Sequence, residues 1–408
     1  MTGAVELLGE IADIGRDPVG GGYSRHVFTP PESALRAWFC ERARGLGLTV
    51  APDANSNLWA WWGAPGPGAV LTGSHLDSVP GGGAFDGPLG VASALAVVAR
   101  WRAAGQAPAT PFAVVVFAEE EGGRFPLACL GSRLASGAVR GPDAAALADV
   151  EGVTFGEAAA AAGFPPAAFG RVPWLAEAAG YVELHIEQGM GLAELGAPVG
   201  IGRSIMAHGR WRLDFQGRAD HAGATRMADR ADPVVALAAG IMAAQLEARR
   251  SGGPAGGRSG GRATVGRLAV FPGGTNVIAA RAAGWLDARA ADAATLANLV
   301  GAIEAAARAA AAANGCAFES TAESYSPAVV FDKDLAARMG VRLAGAPRLD
   351  TGAGHDAGVI AALIPTGMLF VRNPDGASHT PRESCADADV QAGVAALDAV
   401  LTDLAGVR

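Results

Sequence analysis

Apolar residues in the first half of the chain occur in short runs that alternate with helical patterns. Residues 112–117, FAVVVF, form a continuous β-branched and aromatic run, which is typical of a strand buried on both faces. Further runs predict strands at Leu58–Trp62, Ala69–Thr72 and Tyr181–Ile186, and the pattern of Val91–Arg102 predicts a helix. Strands that alternate with helices indicate an α/β domain with a mostly parallel central sheet.

The pattern changes near Trp211, where a β-α-β-β-α succession predicts a small α+β domain inserted in the first one. A Gly-rich segment at Ser251–Gly261 predicts a mobile loop inside it. We therefore predict a catalytic α/β domain at residues 1–207 and 321–408, and an inserted domain at residues 208–320. The predicted inserted elements are strands at 211–216, 263–270 and 284–289, and helices at 233–249 and 294–314.

Composition and charge exclude several classes of protein. Of the 408 residues, 50% are hydrophobic and only 18% are charged, which excludes a wholly disordered chain. The net charge is −8 and there is no basic run, so we expect no nucleic-acid partner. No uninterrupted apolar run approaches the ~18 residues that a membrane-spanning helix needs, so we expect no membrane partner.

The cysteines and the N-terminus bear on the cellular compartment. Cys40, Cys129, Cys316 and Cys385 lie far apart without a C-x-x-C pair, which argues against a disulfide framework or a zinc knuckle and for isolated packed thiols. The N-terminus lacks the basic start and apolar run of a signal peptide. These features predict a cytoplasmic protein.

Histidines and carboxylates lie at the ends of several apolar strand-like runs or in the segments that follow them. In an open α/β sheet, ligands bind at the edge formed by the carboxyl ends of the strands. A single histidine there is more often a hydrogen-bonded loop residue, and a glutamate run is usually solvated surface. A glutamate run that follows a buried strand in a charge-poor chain favours a functional role instead. The residues are His75 in GSHLDS, Asp86 in GGGAFDGPLG, Glu119–Glu121 after FAVVVF, His185 in YVELHIEQG and His379 in GASHTPRE.

Nitrogen and oxygen donors of this kind suit one or two divalent metal ions. Zn²⁺, Mn²⁺, Co²⁺ and Ni²⁺ all fit, and the donor types do not choose among them. Five protein donors for two ions require one bridging carboxylate and leave positions for water. A bound cation lowers the pKa of water towards neutrality, and a nearby carboxylate that is not a ligand accepts the proton.

Multi-residue motifs along nearly the whole chain resemble one family. The chain is similar to the metal-dependent amidohydrolases that comprise N-carbamoyl-L-amino-acid hydrolases, allantoate amidohydrolases and β-ureidopropionases, relatives of the binuclear zinc aminopeptidases. Several motifs in the right order are far more specific than any one alone. The motifs are IGRDPVGGGYSR, GSHLDSVPGGGAFDGPLGV, EEGGRF, HIEQG, ADHAGATRM, GTNVIA, GAGHDA and GMLFV with GASHTPRE.

The resemblance implies a binuclear-metallopeptidase-like catalytic domain and a ferredoxin-like inserted domain that acts as lid and dimerisation surface of a homodimer. It also implies that Asp86 bridges two ions, one of them held by His75 and His185 and the other by Glu121 and His379.

The resemblance further makes Glu120 the general base and gives Asp77 the role of orienting the ligand His75. The extra Glu119 leaves the register open by one residue. We set the register on the pattern EEG-x-RF, in which the two glutamates are Glu120 and Glu121.

Substrate-binding residues also follow from the resemblance. They are Gln188, His221, Asn276, Arg289 and His355. The arginine would form a bidentate contact with the substrate carboxylate, and the histidine and asparagine of the inserted domain would hold the scissile group or its oxyanion. The alternative for Arg289 is a surface strand residue paired with Asp287. Asp356, next to His355 in GAGHDA, would lie in the surroundings of the site, and neither His26 nor His208 has a match.

The predicted reaction is metal-dependent hydrolysis of a linear C–N bond in allantoate or an N-carbamoyl-L-amino acid, releasing ammonia and carbon dioxide. An N-formyl or other N-acyl amino acid would need the same machinery. An aminopeptidase or dipeptidase would need a subsite that the sequence does not reveal. A metal-free binding relative is the alternative of a different class, although all five ligand matches and the base are present.

Two departures from the family pattern and three other motifs bear on this prediction. Ala279 replaces the proline of the family's NVIP, and VRNPDG before His379 differs from the carbamoylase pattern, so the substrate pocket is open to variation. GRSGG at 257–261 has the G-x-S-x-G form of a serine hydrolase but lacks a preceding strand. A strand-linked G-x-G-x-x-G and an H-E-x-x-H helix are both absent from the sequence.

Overall fold

The computed structural model describes residues 3–251 and 260–408. The chain divides into two compact units. Unit 1 consists of Met1–Arg203 and Val330–Arg408, and unit 2 consists of Ser204–Val329. Unit 2 is therefore an insertion in the sequence of unit 1.

The helices of both units are short to medium in length, and 3₁₀ turns at Pro166–Ala168, Pro173–Glu177 and Met227–Asp229 supplement them. The α-helices are α1 (Ala4–Glu10), α2 (Pro30–Gly45), α3 (Pro88–Ala103), α4 (Leu130–Ser136), α5 (Gly141–Ala145), α6 (Phe155–Ala161), α7 (Gly191–Leu195), α8 (Pro233–Ser251), α9 (Ala293–Ala313), α10 (Lys333–Arg342), α11 (Asp356–Ile360) and α12 (Asp387–Ala405).

The strands are likewise distributed over both units. They are β1 (Thr49–Pro52), β2 (Leu58–Trp62), β3 (Val70–His75), β4 (Phe112–Phe117), β5 (Gly180–Ile186), β6 (Val199–Ile205), β7 (Ala207–Gln216), β8 (Asp220–His221), β9 (Arg262–Phe271), β10 (Val277–Ile278), β11 (Arg281–Ala290), β12 (Ala317–Ser326), β13 (Val329–Val330), β14 (Arg348–Thr351) and β15 (Thr366–Val371).

Unit 1 has a mixed α/β fold around one sheet. Within the described residues the sheet has nine strands in the order β1-β2-β4-β3-β5-β15-β6-β13, with β14 also paired to β6. The four central strands β4, β3, β5 and β15 are parallel, whereas β1, β2 and β6 pair antiparallel with their neighbours. The carboxyl ends of the four parallel strands therefore lie at the same edge of the sheet.

The core of unit 1 explains why its central elements lack amphipathic alternation. Every residue of β4 is buried, as the continuous apolar run predicts. Helix α3 begins with Pro88 in its first turn and is buried on nearly all sides because it packs between the sheet and helices α1 and α12. This packing fixes the position of the first turn of α3 and therefore of the end of the Gly-rich loop that precedes the helix.

Unit 2 contains a four-stranded antiparallel sheet in the order β12-β7-β11-β9. Helices α8 and α9 cover one face, where Phe215, Leu286 and Ile303 share a core. Residues that alternate with these point to the other face, among them Arg212 and Arg289. The pair β8 and β10 forms a separate two-stranded sheet.

The predicted strands and helices are present, and the structure adds several strands and helices that were not predicted. The strand predicted at Ala69–Thr72 continues to His75, so this histidine is the last strand residue. Strand β12 was not predicted, and the proposed domain boundaries at 207/208 and 320/321 fall inside β7 and β12. Residues 252–259 of the predicted loop Ser251–Gly261, and most of GRSGG, lie outside the described residues.

Among the described residues, one helix has the length and apolar composition of a membrane span, namely α9. Its Leu299, Ile303 and Ala307 are buried in the core of unit 2. Arg308 on the same helix is exposed. The core helix of a protein without a membrane segment can have the same length and composition, so α9 is weak support for a membrane segment.

Candidate active site

The carboxylate of Asp86 lies at the centre of a cluster of histidines and carboxylates. Its Oδ1 is 3.4 Å from Nε2 of His75 and 3.2 Å from Nε2 of His185. Its Oδ2 is 3.6 Å from Nε2 of His379, and that nitrogen is 3.2 Å from Oε2 of Glu121. Asp86 therefore contacts two histidines through one oxygen and a third histidine through the other.

Strand ends and the loops after them bring these side chains together. His75 ends β3 and His185 lies near the end of β5, and their rings stack with centroids 5.9 Å apart. Glu121 follows β4, and His379 follows β15. Asp86 precedes α3 in the Gly-rich loop. All five predicted ligands thus meet at the carboxyl edge of the parallel strands.

Several nitrogen and oxygen atoms of this cluster are buried without a hydrogen-bond partner. Nδ1 of His75 donates to the carbonyl of Asp77 at 3.0 Å, and Nδ1 of His185 donates to the carbonyl of Ile186 at 2.8 Å. These bonds orient the Nε2 atoms of both histidines. Both Nε2 atoms are buried without a hydrogen-bond partner, and so is Oε1 of Glu121. Unpaired buried donors and acceptors are costly, so the cluster fits a cation.

Three groups of the described residues have the ligand spacing of a metal site, because in each group the candidate ligand atoms all lie within 4.8 Å of one another. One group is Glu183, His185 and His355, and the other two share Asp86. The two groups that share Asp86, which we call triad A and triad B, are His75, Asp86 and His185 for triad A, and Asp86, Glu121 and His379 for triad B.

The charges of the cluster favour added positive charge. Burial lowers the pKa of His75, but Glu120, Asp77 and Asp86 outweigh it and raise this pKa well above its ordinary value. Burial raises the pKa of Asp86, yet His185 and His75 hold it well below its usual range. Carboxylates thus outnumber the imidazoles they surround, which is the electrostatic condition for binding a cation.

Glu120 lies beside the triads without belonging to either. Its Oε2 is 3.7 Å from Nε2 of His75, and its Oε1 accepts a hydrogen bond from Sγ of Cys129 at 3.4 Å. Burial raises the pKa of Glu120 well above its ordinary value, although His75 opposes this shift. A carboxyl group with a raised pKa and one oxygen directed at the ligand cluster can accept and return a proton.

Asp77 and Glu119 hold the turn that carries Glu120 and Glu121. The carboxylate of Asp77 accepts the backbone N–H of Glu120 at 3.1 Å and of Glu121 at 3.0 Å. Oε1 of Glu119 accepts the backbone N–H of Arg124 at 2.9 Å and of Phe125 at 2.6 Å. Burial, aided by Asp77, raises the pKa of Glu119 to about 8.

Gln188 and His355 lie against the ligand cluster in unit 1. Nε2 of Gln188 donates to Oδ2 of Asp86 at 2.7 Å, and its Oε1 is buried without a partner. The ring of His355 meets that of His185 edge-on at 4.5 Å between centroids. Burial and the nearby His185 lower the pKa of His355 well below its ordinary value. The adjacent Asp356 accepts a 2.5 Å hydrogen bond from Ser132.

Unit 2 contains the other predicted substrate residues. His221 and Asn276 lie together, because His221 pairs with Val277 in the β8–β10 sheet. Nδ1 of His221 accepts the backbone N–H of Gly223 and of Ala224, both at 3.1 Å, so the ring proton is on Nε2.

Arg289 of β11 donates Nε and Nη2 to the carboxylate of Asp287 at 2.8 and 3.1 Å. This is the ion pair of the alternative interpretation. Its partner Asp287 is two residues away on the same face of the strand.

Residues outside the predicted set also lie at the site. Cys129 contacts Glu120, and Glu383 accepts the backbone N–H of Phe85 and of Asp86. Burial, together with the charge of Asp86, raises the pKa of Glu383 to about 7. The only sequence signal for Glu383 is its place four residues after His379 in GASHTPRE.

Comparison with known proteins gives similarity over almost the entire chain. The profile of Peptidase family M20/M25/M40 matches residues 71–403. An N-carbamoyl-L-amino acid amidohydrolase of Geobacillus stearothermophilus is 39% identical over 96% of this chain and 95% of its own. An allantoate amidohydrolase of Escherichia coli (strain K12) is 31% identical over 98% and 97%. The crystal structure of a hydantoinase/carbamoylase family amidase from Burkholderia ambifaria superposes with a TM-score of 0.86 at 32% identity, covering 99% and 98%.

Proposed function

The chain belongs to the peptidase family M20/M25/M40, and from this premise we propose that it is an amidohydrolase that cleaves a linear ureido C–N bond. The single observation that carries the proposal is the position of Asp86. One of its carboxylate oxygens faces two histidines, the other faces a third histidine, and Glu120 lies beside this cluster. Relatives of at least 31% identity that act as ureido amidohydrolases support the choice of reaction.

The substrate we propose is an N-carbamoyl-L-amino acid, with allantoate as the second candidate. The N-carbamoyl-L-amino acid amidohydrolase is the more similar of the two relatives, at 39% against 31% identity. Hydrolysis of the carbamoyl group consumes one water and yields the amino acid, carbon dioxide and ammonia. An N-acyl amino acid deacylase, an aminopeptidase of the same family and an inactive binding relative remain the competing assignments.

The residues of triad A and triad B would hold two divalent cations, Zn²⁺ or Mn²⁺, with Co²⁺ and Ni²⁺ fitting the same donors. Bound cations of this type polarise a carbonyl group and lower the pKa of water. Asp77 and Gln188 support the site by holding Glu121 and Asp86 in place.

Glu120 is the general base in this proposal. Its Oε1 is occupied by the Cys129 thiol, so Oε2 is the oxygen that receives the proton of the attacking water. The same oxygen returns the proton to the departing nitrogen, which restores the carboxylate for the next turnover. The raised pKa of Glu120 suits this double role, because a stronger base accepts the proton more readily.

Substrate contacts are assigned to residues with free or exchangeable groups. Oε1 of Gln188 is a buried acceptor without a partner and suits a ureido N–H. His221 presents Nε2–H, because its Nδ1 is an acceptor, and with Asn276 it suits the developing oxyanion. Arg289 binds the substrate carboxylate in exchange for Asp287, with which it makes the same bidentate contact.

We assign unit 2 the role of a ferredoxin-like lid and dimerisation domain. Its strand order β12-β7-β11-β9 with helices on one face supports the ferredoxin-like assignment. The exposed edge strand β9 supports a homodimer formed through this unit. We also assign the protein to the cytoplasm, since its four cysteines are unpaired.

The decisive experiment measures ammonia release by protein loaded with Mn²⁺ and by a chelated control. Allantoate and a pool of N-carbamoyl-L-amino acids are supplied separately. Metal-dependent release from the pool supports the leading assignment, and release from allantoate alone selects the second one. Protein that holds its metals but releases no ammonia from either substrate would overturn the ureido assignment and favour an N-acyl amino acid.

A further inference from the structure

The carboxylate of Glu383 connects the loop of Asp86 to the turn of His379. Its Oε1 accepts the backbone N–H of Phe85 at 2.7 Å and of Asp86 at 3.1 Å. Its own backbone N–H donates to the carbonyl of Thr380 at 3.1 Å, which closes the turn that follows His379. One side chain therefore joins two ligand-bearing segments that are 297 residues apart.

The Gly-rich loop is shaped to receive this side chain. Glu383 is only 6% exposed. A Cβ at Gly83 would overlap the Glu383 carboxylate and lie 2.6 Å from its Cβ, so the absence of a side chain at residue 83 is what admits Glu383. The contact is thus a built feature of the loop rather than a chance approach of two surface groups.

The two triads differ in how firmly the fold holds them. His75 and His185 of triad A lie within strands β3 and β5, whose hydrogen bonds fix their positions. His379 of triad B lies in a loop at a φ of 56°, and its side chain is 48% exposed. The link through Glu383 connects the turn of His379 to the backbone of Asp86.

We infer that Glu383 is a positioning residue that keeps triad B at ligand distance, and that triad A depends on it less, because strands β3 and β5 hold two of its three members. Because Oε1 accepts two backbone N–H groups, Glu383 fixes the Asp86 backbone and the His379 turn relative to each other. Removal of the carboxylate leaves the N–H groups of Phe85 and Asp86 without this acceptor and separates the turn of His379 from the loop of Asp86. The inference rests on the proposed function, because it presumes that the triads bind divalent cations.

The test is Mn²⁺ binding to the full chain, measured by isothermal titration calorimetry and by metal content after dialysis. Glu383→Ala is expected to keep one tight Mn²⁺ and to weaken the second by about 10- to 100-fold, the usual effect of losing a residue that positions a ligand. Glu383→Gln retains the Oε1 acceptor, so it is expected to bind two Mn²⁺ as the wild type does. If the negative charge of Glu383 were what matters, Glu383→Gln would lose the second Mn²⁺ as Glu383→Ala does. Asp149→Ala is the matched control.

The control removes a carboxylate of similar kind elsewhere in unit 1. Asp149 Oδ1 accepts the backbone N–H of Glu151 at 3.0 Å and of Val153 at 2.9 Å, and its side chain is 5% exposed. It touches no residue of either triad, so Asp149→Ala should bind two Mn²⁺ like the wild type. If Glu383→Ala fails to fold, Gly83→Ala displaces the same carboxylate and should give the same selective loss.

Two outcomes separate the inference from the function on which it rests. Two equally tight Mn²⁺ in Glu383→Ala, or equal weakening of both sites, would overturn the positioning role while leaving the metal-dependent function intact. A wild-type protein that binds no Mn²⁺, Zn²⁺ or Co²⁺ would overturn the proposed function itself. If Glu383→Gln does not bind the second Mn²⁺, the weaker binding in Glu383→Ala is not caused by loss of the two N–H contacts, and the positioning role is also wrong.

Discussion

The imidazole of His75 lies directly against the α-carbon of Gly87. A Cβ at residue 87 would be 2.5 Å from Cε1 and 2.7 Å from Nε2 of that ring. Gly87 also has a φ of 83°, in the region that glycine adopts without strain. Glycine at this position thus lets the loop of Asp86 approach His75 closely enough for the two ligands to share triad A.

Gly87→Ala is therefore expected to damage triad A. The new methyl group must displace the His75 ring or the loop, and either shift separates His75 from Asp86. We expect Mn²⁺ affinity to fall by about 10- to 100-fold, as when a residue that orients a metal ligand is lost, with turnover falling in parallel. Gly81→Ala is the control, because Gly81 has a φ of 69° but open space around its Cβ position. A variant at residue 87 with wild-type metal affinity would contradict the steric argument.

Glu120→Gln is expected to separate catalysis from metal binding. Glutamine keeps the acceptor for the Cys129 thiol but accepts no proton from water, so kcat should fall by roughly 10²- to 10⁴-fold. Metal content should not change, because Glu120 belongs to neither triad. Glu121→Gln provides the contrast, since it should lose metal as well as activity. Substantial turnover by Glu120→Gln with both metals bound would remove Glu120 as the base.

The pKa of Glu119, raised to about 8 by burial and by Asp77, predicts a pH dependence of stability. The unfolded chain releases this proton near pH 4.5, while the folded protein keeps it to about pH 8, so the group lowers the free energy of unfolding as pH rises between these values. Glu119→Gln stays neutral and retains the acceptor for the N–H of Arg124 and of Phe125.

Relative to the wild type, Glu119→Gln should therefore gain roughly 3 kcal/mol more unfolding free energy at pH 8 than at pH 5. Urea denaturation of chelated protein at both pH values measures the gain. Glu151 is exposed, and Glu151→Gln should change the free energy of unfolding equally at the two pH values. A gain of equal size at the two pH values would mean that Glu119 does not hold its proton in the folded protein.

The parts of the fold that the sequence predicts are those with a local hydrophobic signal. Every residue of strand β4 is buried and its sequence is continuously apolar, and helix α3 is mostly apolar and buried on nearly all sides. Strand β12, AFESTAESYS, has no such signal because most of its residues are exposed, and it becomes a strand through pairing with β7. The tertiary partner decides such a segment, which local propensity cannot reveal.

The site likewise has residues that the sequence predicts and residues that only the structure reveals. His75, Glu120 and Glu121 are predictable because they lie at the ends of recognisable strands within motifs of several residues. The contacts of Glu383 join segments 297 residues apart through backbone N–H groups, and those groups are the same for every residue type. A hydrogen bond to the backbone leaves no complementary residue in the sequence, so only the structure locates it.

Arg289→Ala is expected to raise KM about 10- to 100-fold for a carboxylate substrate and to change kcat less, since it removes a charge-assisted contact with bound substrate. Arg289→Lys should resemble it, because an ammonium group cannot make two parallel bonds to a carboxylate. Arg212→Ala is the matched control, since Arg212 pairs with Asp214 two residues away in the same sheet. Equal KM changes for Arg212→Ala and Arg289→Ala would contradict a specific clamp.

Strand β9 is the basis of the last prediction, because within the described residues it lies at the edge of the unit 2 sheet. Leu268 is 55% exposed and Val270 is 42% exposed on this strand. An exposed apolar edge offers unpaired backbone groups to a second copy, and charged residues there oppose pairing. The combined Leu268→Lys and Val270→Lys changes should therefore convert a dimer to a monomer in light scattering. Val341→Lys, at a 78% exposed position in α10, should remain dimeric, and a dimer that survives the β9 changes would exclude this edge as the interface.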